Sequence, residues 1–139
     1  MPLVLDASMA ASLVLPGESS QMAERLLASL HTDDEILVPC LWWYEITNIL
    51  VQAVRRRRLD PADMVGARTI LQNIPLVTDS RGDWTYQSEL SAIAESYGLT
   101  SYDAAYLELA VRRKAGLASC DDALIAACKK AGVPVNSPR

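Results

Sequence analysis

The chain has 139 residues, 50% of them hydrophobic and 22% charged. That fits one globular domain spanning 1–139, able to bury about two thirds of its unfolded surface, and it excludes a disordered chain or a small disulfide scaffold. The formal net charge of −4 excludes a generally basic nucleic-acid coat, although a local basic strip on an acidic protein can still hold phosphates.

Short apolar runs alternate with longer helical patterns. Leu3-Val4-Leu5 is a first strand, ended by Asp6, after which a short helix over 7–15 is expected. Over 19–30 the residues Met22, Leu26, Leu27 and Leu30 share one helical face. Ile36-Leu37-Val38 is a second strand, closed by Pro39, and 41–54 carries Ile46, Ile49, Leu50 and Ala53 at helical spacing. Asp60-Pro61 reads as an N-cap followed by proline at the first helical position, with Asp63 in the first turn. Leu76-Val77 is a weak third strand. Asp83 caps a helix running to Tyr97 and stopped by Gly98. Thr100 or Ser101 opens the next helix, which Gly116 is expected to end. Leu117-Ala118-Ser119 is a fourth strand, Asp121 opens the last helix, Gly132 ends it, and Val133-Pro134-Val135 is a fifth strand. Residues 136–139 are expected to fray. Runs this short and apolar on both faces are those of a buried parallel sheet, so the pattern predicts an α/β domain with helices on both sheet faces.

Other classes fall away quickly. Cys40, Cys120 and Cys128 stand in no metal-ligand spacing, and with the single His31 they make no zinc site. They read as idle thiols in a reducing compartment. No uncharged apolar run reaches the ~20 residues of a membrane helix. The opening Met-Pro-Leu-Val-Leu-Asp lacks the basic start of a secretory signal. A cytoplasmic protein with no membrane partner is expected.

In open α/β sheets ligands bind beyond the carboxyl ends of the strands, where strand order switches. Asp6 and Asp121 fall at such ends, and Glu45 and Asp103 lie early in helices beginning on the same edge. Each has an ordinary explanation as a cap or a first-turn acid. Together they ask for more. Two carboxylates ~5 Å apart repel by about 3 kcal/mol at an effective dielectric of about 20, whereas a cap contributes only about 1 kcal/mol. Protonation or a divalent cation must offset the difference, and oxygen-only ligands select Mg²⁺ or Mn²⁺. Such a cation suits hydrolysis of a phosphodiester. His31 lies in a polar loop far from every motif, so no side chain is placed to replace the metal as base.

These positions also carry a resemblance. Leu5-Asp6-Ala7-Ser8, Glu45-Ile46-Thr47-Asn48, the stretch from Leu99 through Thr100, Tyr102, Asp103 and Tyr106 to Leu107, and Leu117-Ala118-Ser119-Cys120-Asp121 are similar to the PIN-domain nucleases. Within that family they resemble the VapC-type toxins of prokaryotic toxin–antitoxin pairs. The resemblance spans nearly the whole chain. It implies a three-layer α/β/α fold around a central parallel sheet of about five short strands. It also implies a Mg²⁺- or Mn²⁺-dependent endoribonuclease with Asp6, Glu45, Asp103 and Asp121 as catalytic and metal-holding acids. Asp6, Asp103 and Asp121 would hold one cation and Glu45 would help. Hydroxide would attack the phosphate in line and the 3′ oxygen leave, giving 5′-phosphate and 3′-hydroxyl ends. Ser119, Asn48 and Ser8 would support the site. A cognate antitoxin and a homodimer are the implied protein partners.

Arg55, Arg56, Arg57 and Arg58 close the helix after strand two, either as a complement to its dipole or as a contact for RNA. Trp42-Trp43-Tyr44 reads first as core and interface packing and second as a base-stacking surface. Two phosphate-handling alternatives fit less well. A haloacid-dehalogenase-like phosphatase usually needs a second Asp where Ser8 stands, and a receiver domain needs an acid pair near strand one and a Lys near the end of strand five. The remaining alternative is a PIN-like RNA- or protein-binding module with an inactive site.

Overall fold

The computed structural model describes residues 1–16 and 20–136. Five short parallel strands form one sheet: β1 (Leu3–Leu5), β2 (Ile36–Pro39), β3 (Leu76–Asp79), β4 (Gly116–Ala118) and β5 (Val135–Asn136), in the order β3-β2-β1-β4-β5. β1 is central, with Leu3 opposite Ile36 on one side and Gly116 on the other. The chain builds outward from β1 through β2 to β3, then returns to place β4 on the other flank of β1. The strand order therefore switches between β1 and β4, and a crevice opens there beyond their carboxyl ends.

Helices cover both faces, giving the three-layer α/β/α architecture. They are α1 (Ala7–Ala11), α2 (Ser20–Ser29), α3 (Leu41–Arg55), α4 (Asp63–Gln72), α5 (Trp84–Tyr97), α6 (Ser101–Arg113) and α7 (Asp122–Ala131). α1 packs on α3, while α6 lies across β1, β2 and β4 between α5 and α7. α6 is the most deeply set, with every residue from Ala104 to Ala110 buried. β1, β2 and β4 are buried along their whole length, as strands covered on both faces must be. β3, at the sheet edge, is only half covered and exposes Val77. No helix of the described residues is long and apolar enough to cross a membrane.

Local chemistry sets most boundaries as expected. Asp83 accepts the Tyr86 N–H at 2.7 Å and Thr100 accepts the Asp103 N–H at 3.2 Å. Gly98 and Gly132 take left-handed conformations (φ 64° and 76°) past the ends of α5 and α7. Several details differ. Asp60 does not cap α4 with its side chain. Its carbonyl accepts the Asp63 N–H in a turn, and the helix begins two residues after Pro61. α6 ends at Arg113 with Lys114 left-handed (φ 51°), not at Gly116, which opens β4. A Cβ on Gly116 would stand 3.4 Å from the Pro134 carbonyl, at the near limit of ordinary contact. β5 is Val135–Asn136 because Val133 is still tied to the end of α7 through its N–H to the Cys128 carbonyl. Asn136 is thereby paired with Ala118 and does not fray. Ser19 and residues 137–139, where a helix start and fraying are expected, lie outside the described residues.

Candidate active site: an uncompensated acidic edge

Asp6 leaves β1 at the switch point. Its N–H continues the ladder to the Ala118 carbonyl at 2.9 Å, which aims its side chain past the strand ends. There it caps α1 by accepting the Ser8 N–H at 3.3 Å. Its other oxygen accepts the hydroxyls of Ser119 at 2.6 Å and Ser8 at 3.0 Å. Ser119, fully buried just past β4, also accepts the Asp121 N–H at 3.0 Å. One hydroxyl thus ties the acid after β1 to the backbone of the acid after β4. Asp121 caps α7 by accepting the Leu124 N–H at 2.8 Å.

Glu45 lies one turn into α3, and Asp103 in the first turn of α6. Burial pushes the Asp6 carboxyl above the usual range, against its serine hydrogen bonds, and Asp121 adds to the rise. Burial also raises Glu45, opposed by a hydrogen bond from Tyr106 and reinforced by Asp6 and Asp103. Asp103 is pushed up to about 6, first by burial and then by Asp121 and Asp6. The four acids therefore share one edge closely enough to feel one another.

Among the described residues, every charge acting on Asp6, Glu45 and Asp103 is another carboxylate. Elsewhere in the molecule acids are paired: Asp79 with Arg112, Glu89 with Arg81, Glu35 with Arg113. Among the described residues no such pair includes the four at this edge. The donor set is oxygen-only, anionic and unneutralised, which suits a hard divalent cation. Among the described residues no three His, Cys, Asp or Glu side chains converge into a metal cage. Mg²⁺ does not require one, because it keeps several waters and is held by one or two carboxylates directly.

A family model for the PIN domain matches residues 3–130. Ribonuclease VapC3 of Pyrobaculum aerophilum is 35% identical over 116 residues, covering 79% of this chain and 82% of the relative. The chain belongs to the PIN-domain family. Its fold is shared by PAE2754 from Pyrobaculum aerophilum (TM-score 0.70, 24% identity, 97% of this chain and 83% of that one). It is shared also by a chain of VapBC2 from Rickettsia felis, solved bound to a DNA fragment from their promoter (TM-score 0.71, 14% identity, 99% and 98%).

The other expected site residues separate in this PIN domain. Ser119 and Ser8 touch Asp6. Asn48 is exposed one turn beyond Glu45 and makes no hydrogen bond to the acids among the described residues. Arg55 to Arg58 lie at the far end of α3, about 15 Å from Glu45 along its axis. Arg58 donates to the Pro16 carbonyl at 3.3 Å. Trp42 is core, whereas Tyr44 is 77% exposed. His31 precedes β2, on the opposite edge of the sheet from the acids.

Two residues with clear roles carry no expectation from the sequence reading. Tyr106 donates its hydroxyl to Glu45 Oε1 at 2.6 Å from within the core. Glu108, 4% exposed, accepts from Arg81 at 3.0 Å and Arg112 at 2.6 Å. Signals for both exist in the sequence. A tyrosine inside an otherwise apolar helix stretch needs a partner for its hydroxyl, and Glu108 with Arg112 is an i,i+4 pair.

Proposed function

We propose that this PIN domain is a divalent-metal-dependent endoribonuclease that hydrolyses RNA phosphodiester bonds, and that it is the toxin of a toxin–antitoxin pair. The observation carrying this reading is the edge at the β1/β4 switch point, where Asp6, Glu45, Asp103 and Asp121 act on one another with no cation among their partners in the described residues. The relative named a ribonuclease supports the activity, and a neighbour of the same fold solved as a toxin–antitoxin complex from Klebsiella pneumoniae supports the pairing.

A bound Mg²⁺ or Mn²⁺ would neutralise the developing charge on the phosphate and supply a water acidic enough to attack at neutral pH. The residues supply placement. Ser119 and Ser8 fix the Asp6 carboxylate, the α7 cap fixes Asp121, and the first turn of α6 presents Asp103. The expected products carry 5′-phosphate and 3′-hydroxyl ends. Arg55 to Arg58 are too far along α3 to meet the scissile phosphate, and in this proposal they contact flanking RNA.

Two surfaces suit protein partners. An apolar groove of about 420 Å³ between α3 and α4 is lined by Trp42, Trp43, Ile46, Leu50, Leu71 and Leu76. The groove would seat an antitoxin segment that offers an apolar face. α5 has no fully buried residue and exposes Trp84 to 84%, a face that could receive a second copy.

One observation favours a second reading, a PIN-like binding module with an inactive site: no three potential ligands converge among the described residues. A single experiment separates the two. The purified protein is incubated with total cellular RNA and Mg²⁺ or Mn²⁺, and new 5′-phosphate ends are mapped. Discrete cuts that disappear with Asp6→Asn and with a chelator are expected. Identical ends from the native protein and Asp6→Asn would leave the binding module.

A further inference from the structure

Tyr106 occupies a position that phenylalanine would fill as well by volume. It lies within the run Ala104–Ala110 of α6, where every residue is buried. A buried hydroxyl costs stability unless it is hydrogen-bonded, and both partners of this one belong to the acidic edge. It donates to Glu45 Oε1 at 2.6 Å, and the Ala7 N–H approaches it at 3.4 Å. Ala7 directly follows Asp6 and is the first residue of α1, so its N–H is one of those a helix leaves unpaired. An N–H can only donate, so the hydroxyl accepts there and its own proton is committed to Glu45. One side chain from α6 thus fixes a carboxylate on α3 against the backbone beside Asp6. With Oε1 held by the phenol, Oε2 is the Glu45 oxygen that accepts no hydrogen bond among the described residues and is the more open to a ligand.

We propose that Tyr106 is a positioning residue that orients Glu45 as a one-oxygen donor toward the divalent cation, from a phenol bridging α6, α3 and the start of α1. The proposal rests on the reading of the acidic edge as a metal site. Hydrogen-bond partners of metal ligands typically change metal affinity or activity by about 10- to 100-fold when removed, and Tyr106 is expected to act on that scale. Its effect must pass through Glu45, because that is the site acid it touches.

The test measures Mn²⁺ binding by calorimetry without RNA, RNA cleavage, and thermal melting, for the native chain, Tyr106→Phe, Glu45→Gln and the double variant. Tyr106→Phe is expected to melt within a few degrees of the native chain, bind Mn²⁺ about 10- to 100-fold more weakly, and cleave correspondingly more slowly. The double variant is expected to bind no more weakly than Glu45→Gln alone, the non-additivity of residues acting as one unit. A merely structural tyrosine would not produce that non-additivity. Native Mn²⁺ affinity in Tyr106→Phe overturns the proposal while leaving the metal-site reading intact, and so does a loss that adds in full to that of Glu45→Gln. If Tyr106→Phe does not fold, a fluorotyrosine at position 106, which keeps the ring's shape and changes the phenol as a donor, decides. A changed Mn²⁺ affinity that disappears in the Glu45→Gln background supports the proposal, and native affinity overturns it. If the native chain neither binds Mn²⁺ nor cleaves RNA, the metal-site reading fails and the positioning role falls with it.

Discussion

Replacing Asp103 by asparagine removes a charge that the fold holds at a cost. The folded carboxyl titrates at about 6, against 3.8 ordinarily, because burial and then Asp121 and Asp6 disfavour its ionised form. Between those values the folded chain keeps a proton that the unfolded chain has released, so this group lowers stability as pH rises from about 4 to about 6 and no further above that. At face value the displacement corresponds to about 3 kcal/mol. Water reaches this half-buried carboxylate, and screening reduces the figure to about 1–2 kcal/mol. Asparagine also forfeits the attraction of an acid to the start of α6, about 0.5 kcal/mol, leaving a net gain of about 1 kcal/mol. For a domain of this size that raises Tm by about 3–5 °C. Thermal melts of both proteins from pH 4 to 7.5, in chelator, are the assay. The advantage of Asp103→Asn should grow through the window and stay level above it. Mg²⁺ at pH 7.5 should narrow the gap by raising the native protein more than the variant. A variant that melts at or below the native protein at pH 7.5, or a difference independent of pH, would refute the reasoning.

Three further changes probe the frame around the site. Glu108→Ala removes the buried carboxylate that both arginines share, while Arg112 keeps Asp79 and Arg81 keeps Glu89, and should cost about 1.5–3 kcal/mol in urea unfolding. Ser119→Ala removes a buried hydroxyl that serves both Asp6 and the Asp121 N–H, and should cost about 1–3 kcal/mol in the same assay. Gly132→Ala forces a side chain into a left-handed conformation (φ 76°) with open space around it, so strain alone should cost about 1 kcal/mol, read as a lower Tm.

How much of this was legible in the sequence depended on the range of the interaction. Asp6, Asp83, Thr100 and Asp121 announce themselves because a cap involves a side chain and backbone two or three residues on. Gly98 and Gly132 are legible for the same local reason. Even so, Asp60-Pro61 has the composition of a helix start and forms a turn instead, because the chain still has to redirect there before α4 begins. Gly116 looks like a helix stop and is a strand residue, since Lys114 already takes the left-handed position. Tyr106 with Glu45, 61 residues apart, and Arg112 with Asp79, 33 apart, depend on how α6 crosses the sheet, and no local rule contains that angle. The meeting of Asp6 with Ser119 across 113 residues was legible only in outline, through strand ends that a parallel sheet brings to one edge.

The same helix starts that cap the chain also explain how four acids coexist with no cation beside them among the described residues. Asp6 caps α1, Asp121 caps α7 and Asp103 lies in the first turn of α6, so three helix N-termini face the edge. Each contributes about 0.3–1 kcal/mol of attraction to an anion, and a capping bond about 1 kcal/mol more. Against this stands repulsion of about 3 kcal/mol for each pair of carboxylates ~5 Å apart. The backbone dipoles therefore offset part of the repulsion and leave the rest. Arginines would have neutralised the edge fully, as Arg112 does for Asp79 and Glu108, but they would also have occupied the carboxylate oxygens. Helix termini attract the same charge through backbone N–H groups, and among the described residues one Asp121 oxygen and both Asp103 oxygens accept no hydrogen bond. The raised Asp103 titration, set first by burial and then by Asp121 and Asp6, records the cost of holding that charge, and a divalent cation would lower it.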